Sequence, residues 1–244
     1  MNRYLLSTLF VAAGLFIPSF NAQEENRTIE EVVVSALRQE TSLQDTAITV
    51  TAITGDSLET QQIENMEDLQ FAVPTLGFQK GAYSGSGITL RGIGNFAVGN
   101  STSSSVGYFW NGQVASISSL YEAELFDVER VEVLRGPQGT LFGDGTTGGL
   151  LQVISKRPNS EFGGYVKADI AEYDSTRISA AVDLPLSDTV RARIAASSLK
   201  RGGFVVNNYN DEELDDRNTQ SARITLEWDV SDETLFTLVH ENVM

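Results

Sequence analysis

Between Val128 and Pro158 the chain reads VERVEVLRGPQGTLFGDGTTGGLLQVISKRP, and no other stretch restricts its fold so tightly. Arg130 to Leu134 is a short run rich in branched residues, the composition of a β-strand. Arg135-Gly136-Pro137-Gln138-Gly139 breaks it, because proline locks φ and removes a donor while glycine accepts φ > 0. A second glycine cluster, Gly143, Gly145, Gly148 and Gly149, leads into another β-type run, Leu150 to Ser155, which Lys156-Arg157-Pro158 ends. Two strands must therefore flank a turn-dense connection with little room for bulky side chains.

Glycines at this density also occur where backbone cradles phosphate. A P-loop needs Gly-Lys-Ser/Thr opening a helix, and no glycine here is followed by that pair. Gly92-Ile93-Gly94-Asn95-Phe96-Ala97 fits the dinucleotide pattern G-x-G-x-x-A, but Val98 to Ser105 is too rich in Gly, Asn, Ser and Thr to open a helix. Turn glycines are the better reading. The stretch from Val128 closely resembles the end of the plug domain of TonB-dependent outer-membrane receptors. Ile88-Thr89-Leu90-Arg91-Gly92-Ile93-Gly94 is similar to a second plug motif of that family, and Tyr108-Phe109-Trp110-Asn111-Gly112 to a third.

Two departures stand out. Asn111 replaces the family's usual aspartate, a mild change because both residues tolerate the left-handed conformation. Asp144 stands where the family more often has arginine, which puts any contact of that arginine in doubt. The resemblance implies an α+β plug, a small mixed sheet with short helices, followed by the first strands of a transmembrane antiparallel β-barrel.

The order of segments agrees with that expectation. Met1 to Ala22 resembles a secretory signal peptide: Arg3, an apolar run from Leu5 to Ile17, Pro18, then a small residue. The apolar run falls short of the ~20 residues a spanning helix needs, so an uncleaved anchor is the lesser alternative. Residues 23–43 form a polar linker around Glu31-Val32-Val33-Val34-Ser35. An isolated β-branched run of this kind is able to add as a strand to another protein's sheet edge. From the residues alone it is equally the first strand of the plug; the resemblance makes it a TonB box that pairs with the inner-membrane TonB protein.

Within the expected plug, residues 44–158, Ile48 to Ile53 alternates as a half-buried strand. Asp56 with Glu59, and Asn65 with Asp68, mark two helix starts of the capping-box kind. Leu58, Ile63, Met66 and Leu69 supply the buried side, and Val73-Pro74 stops the second helix. Leu76 to Lys80, Ile88 to Arg91 and Val106 to Trp110 are further short strands. The loops between them, Gly81 to Gly87 and Asn95 to Ser105, are polar and adaptable. Tyr83, Ser84, Asn95, Phe96 and Asn100 are candidate ligand contacts there, solvated loops being the alternative. Arg91 and Arg135, each between a strand and a glycine turn, are expected to pair with carboxylates of the barrel wall; ordinary surface arginines are the plain alternative.

From Phe162 the pattern lengthens. Val166, Ala168 and Ile170 take one parity and Lys167 and Asp169 the other. Ile178 to Leu184, Val190 to Ala196 and Ala222 to Trp228 repeat the alternation. Apolar-out, polar-in strands of about ten residues mark a membrane barrel, although a soluble sandwich with one wet face shows the same period. Pro185 to Asp188 and Ser231 to Glu233 are short turns, and Arg201 to Asn218 is a long acidic one. Trp228 sits on the lipid-facing parity beside a short turn. The plug resemblance before these strands decides for the barrel: residues 159–244 are expected to form the start of one that the family closes with about twenty-two strands, and the chain is read as the N-terminal part of a longer receptor.

The formal charge of −16 excludes nucleic acid as a partner, since phosphate binding needs clustered Lys and Arg. There is no cysteine, and the single histidine, His240, builds neither a metal site nor a triad by itself. Asp211, Glu212, Glu213, Asp215 and Asp216 lack an ordered Ca²⁺-ligand spacing and are expected to be a solvated loop. No cofactor, metal or enzymatic activity is expected. The family resemblance implies uptake of an extracellular ligand, most often a ferric siderophore. Cobalamin, haem, carbohydrate or another chelate are the alternatives, as is an exported plug-like module that binds or signals without transport.

Overall fold

The computed structural model describes residues 33–34, 41–42, 48–80, 86–94, 104–115 and 123–243. The signal peptide expected over residues 1–22 lies outside them. A β-branched pair, β1 (Val33–Val34), meets β2 (Thr41–Ser42) antiparallel, Val34 opposite Thr41. Next come β3 (Val50–Thr54), α1 (Gly55–Thr60) and α2 (Met66–Ala72). A small antiparallel sheet follows, made of β4 (Leu76–Lys80), β5 (Ser86–Leu90) and β6 (Ile93–Gly94).

Helix starts obey local chemistry. Asn65 caps α2 as expected: its Oδ1 accepts from the amides of Glu67 (2.8 Å) and Asp68 (3.1 Å), and Asp68 Oδ2 accepts from the Glu64 amide. In α1 the cap is Thr54 rather than Asp56; its hydroxyl accepts from the Ser57 amide, and Asp56 lies in the first turn. The strand runs one residue nearer the helix than the sequence suggests, because Gly55 packs its bare Cα against the Val128 carbonyl, where a Cβ would approach to 2.3 Å.

The main sheet of this domain adds β7 (Val106–Trp110), β8 (Gln113–Val114), β9 (Val128–Arg135) and β10 (Gly149–Ser155) in the order β3-β9-β10-β7-β8. β10 runs parallel to β7 and antiparallel to β9, so the glycine-rich stretch is a central pair of the domain. The connection holds one short helix that its composition did not suggest, α3 (Gly139–Phe142). Ile53, Leu58, Met66, Leu69, Val131, Val133, Leu151 and Val153 form one continuous core. The Gly92-x-Gly94 motif lies in the β5–β6 hairpin, with Arg91 and Gly92 at φ 53° and 77° in its turn. The same two-residue turn recurs at Asn111 and Gly112, φ 50° and 78°.

A second, longer sheet follows: β11 (Gly163–Ala171), β12 (Ser175–Pro185), β13 (Val190–Arg201), β16 (Arg217–Ser231) and β17 (Thr234–Val243), an antiparallel meander in that order. The acidic loop folds into a small hairpin, β14 (Val205–Asn207) with β15 (Glu212–Leu214). The two parities of the long sheet separate in an inverted sense. Ile170 is 87% exposed, and Val166, Ile178, Ile224 and Trp228 also face outward. Asp183, Arg193, Ser197, Arg223, Thr225 and Glu227 are buried against the first domain. A soluble sandwich buries the apolar face; burial of the polar face with an apolar exterior is the arrangement of a membrane barrel wall.

Candidate functional site

The seam between the two sheets is where their charged side chains converge. Its centre is Asp127, the residue before β9, held at φ 50°, a left-handed conformation that a non-glycine residue adopts at some cost in strain. Its surroundings over-determine it. Arg193 of β13 donates Nη2 to Asp127 Oδ1 (2.6 Å) and Nε to Oδ2 (2.9 Å), and its Nη1 reaches Asp183 Oδ2 at 2.6 Å. Tyr165 donates its hydroxyl to Asp127 Oδ1 at 3.3 Å, and the Asp127 carbonyl accepts from the Lys156 amide at 3.0 Å. A bidentate guanidinium–carboxylate pair this deeply buried fixes geometry as well as charge.

Arg223 of β16 completes the grip and is itself only 2% exposed. It donates to the carbonyls of Phe126 (3.4 Å) and Asp127 (3.3 Å) and to both oxygens of Glu241. Its guanidinium also lies 4.4 Å from the Phe126 ring centre and 5.5 Å from that of Trp110. One step earlier in the chain, Glu124 is buried against Ser197, whose hydroxyl reaches it at 3.4 Å. Burial pushes the Glu124 carboxyl above the usual range, helped by Glu64, while Arg177, Arg217 and the Ser197 hydroxyl pull the other way.

Further along the seam Arg157, just past β10, donates to Glu227 Oε1 at 2.6 Å, and Arg191 donates to Oε2 at 2.9 Å and to Asp229 at 2.6 Å. Between the β7–β8 turn and the inner faces of β16 and β17 lies a cavity of about 890 Å3, lined among others by Trp110, Gln152, Thr225 and Glu227. Asn111 does more than turn the chain: it exchanges hydrogen bonds with the amide and hydroxyl of Ser155, tying that turn to the end of β10.

Contacts of the earlier elements with the wall are more exposed. Lys167 pairs with Glu59, Arg177 with Glu64 (2.5 Å), and Lys80 with Asp215 of the acidic hairpin (3.6 Å).

Residues 42–150 match the TonB-dependent Receptor Plug Domain model. The pesticin receptor of Yersinia pestis is 29% identical over 185 residues, which cover 72% of this chain and 26% of that protein. The iron-regulated outer membrane virulence protein of Vibrio cholerae is 26% identical, covering 88% of this chain and 35% of the relative. Residues 42–150 are a plug domain of the TonB-dependent receptor kind. The plug and first wall strands superpose on the ferric yersiniabactin uptake receptor of Yersinia pestis with a TM-score of 0.69 at 22% identity, over 80% of this chain and 32% of that one. The chain thus spans about a quarter to a third of the length of these relatives.

Of the residues expected to act, Glu31, Val32, Ser35, Tyr83, Ser84, Asn95, Phe96 and Asn100 lie outside the described residues. Val33 and Val34 form β1, and Val34 is fully buried against Phe109, Leu134, Phe142 and Leu150 of the plug. Val33 and Val34, the described part of the run expected to be a TonB box, pair along one edge with β2.

Arg91 and Arg135, expected to pair with carboxylates of the barrel wall, lie just past β5 and at the end of β9. Arg91 occupies the αL position of the β5–β6 turn, and Arg135 donates to the Thr75 hydroxyl at 3.1 Å, within the plug. Among the described residues neither reaches a wall carboxylate, and Asp144 is exposed without a wall contact. The seal largely has the opposite polarity: carboxylates and carbonyls on the plug, arginines on the wall. Arg177, Arg193 and Arg223 were visible only as the polar parity of alternating strands, and nothing local marked them as plug contacts.

Proposed function

We propose that this chain is the plug and first barrel strands of an energised receptor for an extracellular iron chelate, driven from the periplasm by TonB. The observation that carries the reading is a plug-family fold seated on the polar face of a wall whose other face is apolar. The names of the relatives, a ferric yersiniabactin uptake receptor among them, favour a ferric siderophore as cargo. Ligand meets the plug on the loops 81–87 and 95–105, where Tyr83 and Phe96 offer aromatic surface to a planar chelate. Glu31 to Ser35 supplies the strand that TonB takes up by main-chain hydrogen bonding.

Two substitutions in the receptor expressed from its complete reading frame test the reading. Val33→Pro removes a main-chain donor from the box; energised uptake of iron should stop while ligand binding at the cell surface persists. Unchanged uptake refutes the assignment. Replacing Tyr83 and Phe96 together by Ala should weaken equilibrium binding of the chelate by about 1–3 kcal/mol. Unchanged affinity removes the plug loops from the site.

A further inference from the structure

At the end of the long sheet where the acidic hairpin stands, the plug, the wall and the hairpin converge on one carboxylate. Arg201 ends β13 and Arg217 opens β16, and the register sets the two directly opposite each other. Both share the parity of Arg193, Ser197, Ser221 and Arg223, which are buried against the plug, so both guanidinium groups belong to the inward face. Arg217 also lies close enough to Glu124 of the plug to draw that carboxyl's proton affinity down. Directly opposed strand residues have Cβ atoms about 4.5–5.5 Å apart, and like charges at that spacing destabilise a sheet. An anion beside the pair offsets the repulsion.

Asp215 supplies that anion, but loosely. Arg201 donates Nη2 to the Asp215 main-chain carbonyl at 2.6 Å, whereas the same Nη2 stands 3.5 Å from Oδ2. The Lys80 ammonium, at the end of β4, stands 3.6 Å from Oδ1. Charge-assisted hydrogen bonds close to about 2.7–2.9 Å, so the carboxylate rests between two cations without closing on either. The cations are better fixed than the anion. The Arg201 guanidinium lies 4.7 Å from the Phe204 ring centre, and Phe204 packs on Tyr173 at 5.8 Å.

We propose that Lys80, Arg201 and Arg217 form a binding site for an oxyanion of the incoming chelate, a carboxylate or its equivalent, and that Asp215 occupies this site as a stand-in until the ligand displaces it. Lys80 directly precedes the plug loop 81–87, so the site extends the ligand surface proposed above, and the inference rests on that reading. Inward parity separates the site from lipid headgroups. The other carboxylates of the loop, Asp211, Glu212, Glu213 and Asp216, repel a polyanion. The ligand that fits therefore carries a single oxyanion on a body of low net charge.

The test uses the receptor expressed from its complete reading frame. The probe is radioiron supplied as its complexes in the cells' own iron-starved culture medium, and equilibrium binding at the cell surface is measured against cells lacking the receptor. Arg217→Gln should weaken binding about ten- to a hundredfold, the worth of a hydrogen bond to a charged group. Arg217→Lys keeps the charge and should restore most of that loss. Asp215→Asn removes the competing charge with a residue that tolerates the left-handed φ of 66° at this position. Binding should tighten about two- to fivefold, the strength of an exposed ion pair.

The opposite signs are decisive. If the cluster only clasps the hairpin, Arg217→Gln and Asp215→Asn loosen the same structure and neither tightens binding. Weaker or unchanged binding in Asp215→Asn overturns the inference. So does unchanged binding in Arg217→Gln, or an Arg217→Lys variant no better than Arg217→Gln. Equal radioiron on cells with and without the parent receptor overturns the receptor reading itself, and the inference with it.

Discussion

Replacing Arg193 by Met asks how much of the plug's seating depends on one side chain. The substitution keeps most of the volume and removes three charge-assisted hydrogen bonds, two to Asp127 and one to Asp183. It leaves two carboxylates, both nine-tenths or more buried, with one neutral donor each: the Tyr165 hydroxyl at 3.3 Å for Asp127 and the Asn159 amide at 3.2 Å for Asp183. Breaking a buried pair from one side costs about 3–5 kcal/mol, roughly two to four decades in the equilibrium between seated and released segment. The assay is amide hydrogen exchange at Val128 to Arg135 in the complete receptor in lipid bilayers, where protection reports that opening. The triple replacement Asp127→Asn, Asp183→Asn and Arg193→Met removes the charges along with their partner and should recover most of the loss. Protection in the single variant within about 0.5 kcal/mol of the parent, the range of an inconsequential surface change, would refute the reasoning. A triple variant as weak as the single one would refute its electrostatic part.

Two further outcomes are expected. Val34→Ala removes two methyl groups from a fully buried position between Phe109, Leu134, Phe142 and Leu150 and should loosen β1 by about 1–2 kcal/mol; the rate of proteolytic cleavage around residues 33–42 should rise accordingly, and an unchanged rate means that the strand is not held there. Glu124 carries a proton affinity raised by burial, so its folded carboxyl holds a proton more tightly than the unfolded one. The stability it contributes is present below the unfolded glutamate pKa and is lost as pH rises through the raised value. Glu124→Gln should flatten that part of the pH dependence of plug release and strengthen seating at neutral pH; a profile identical to the parent's removes Glu124 from the balance with Arg177, Glu64 and Arg217.

Much of the architecture is written in local patterns, because each pattern has a local cause. The period of two in Val166–Ile170 and Ala222–Trp228 is imposed by the pleat itself, and Asn65 caps α2 through atoms two and three residues away. Asn111 and Gly112 take the left-handed turn that their side chains permit. The plug, too, was legible, through the resemblance of the stretch from Val128 to Pro158 to a known plug motif. Periodicity alone could not say which face of the long strands is wet; a soluble sandwich and a barrel wall share it.

The resemblance of the plug before these strands chose the barrel, and packing agrees with it, burying Arg193, Arg223 and Glu227 and turning Ile170 and Trp228 outward. The seam was equally beyond local reading. Asp127 and Arg193 are separated by 66 residues and Arg223 and Phe126 by 97, and each looks in sequence like an ordinary charge beside a strand or an aromatic in a loop. Arg91 and Arg135 both stand beside glycine turns, yet only the packed structure shows that Arg91 takes the turn itself and that Arg135 bonds Thr75 within the plug. A strand's own residues determine that it alternates; what its polar face meets depends on the sheet laid against it.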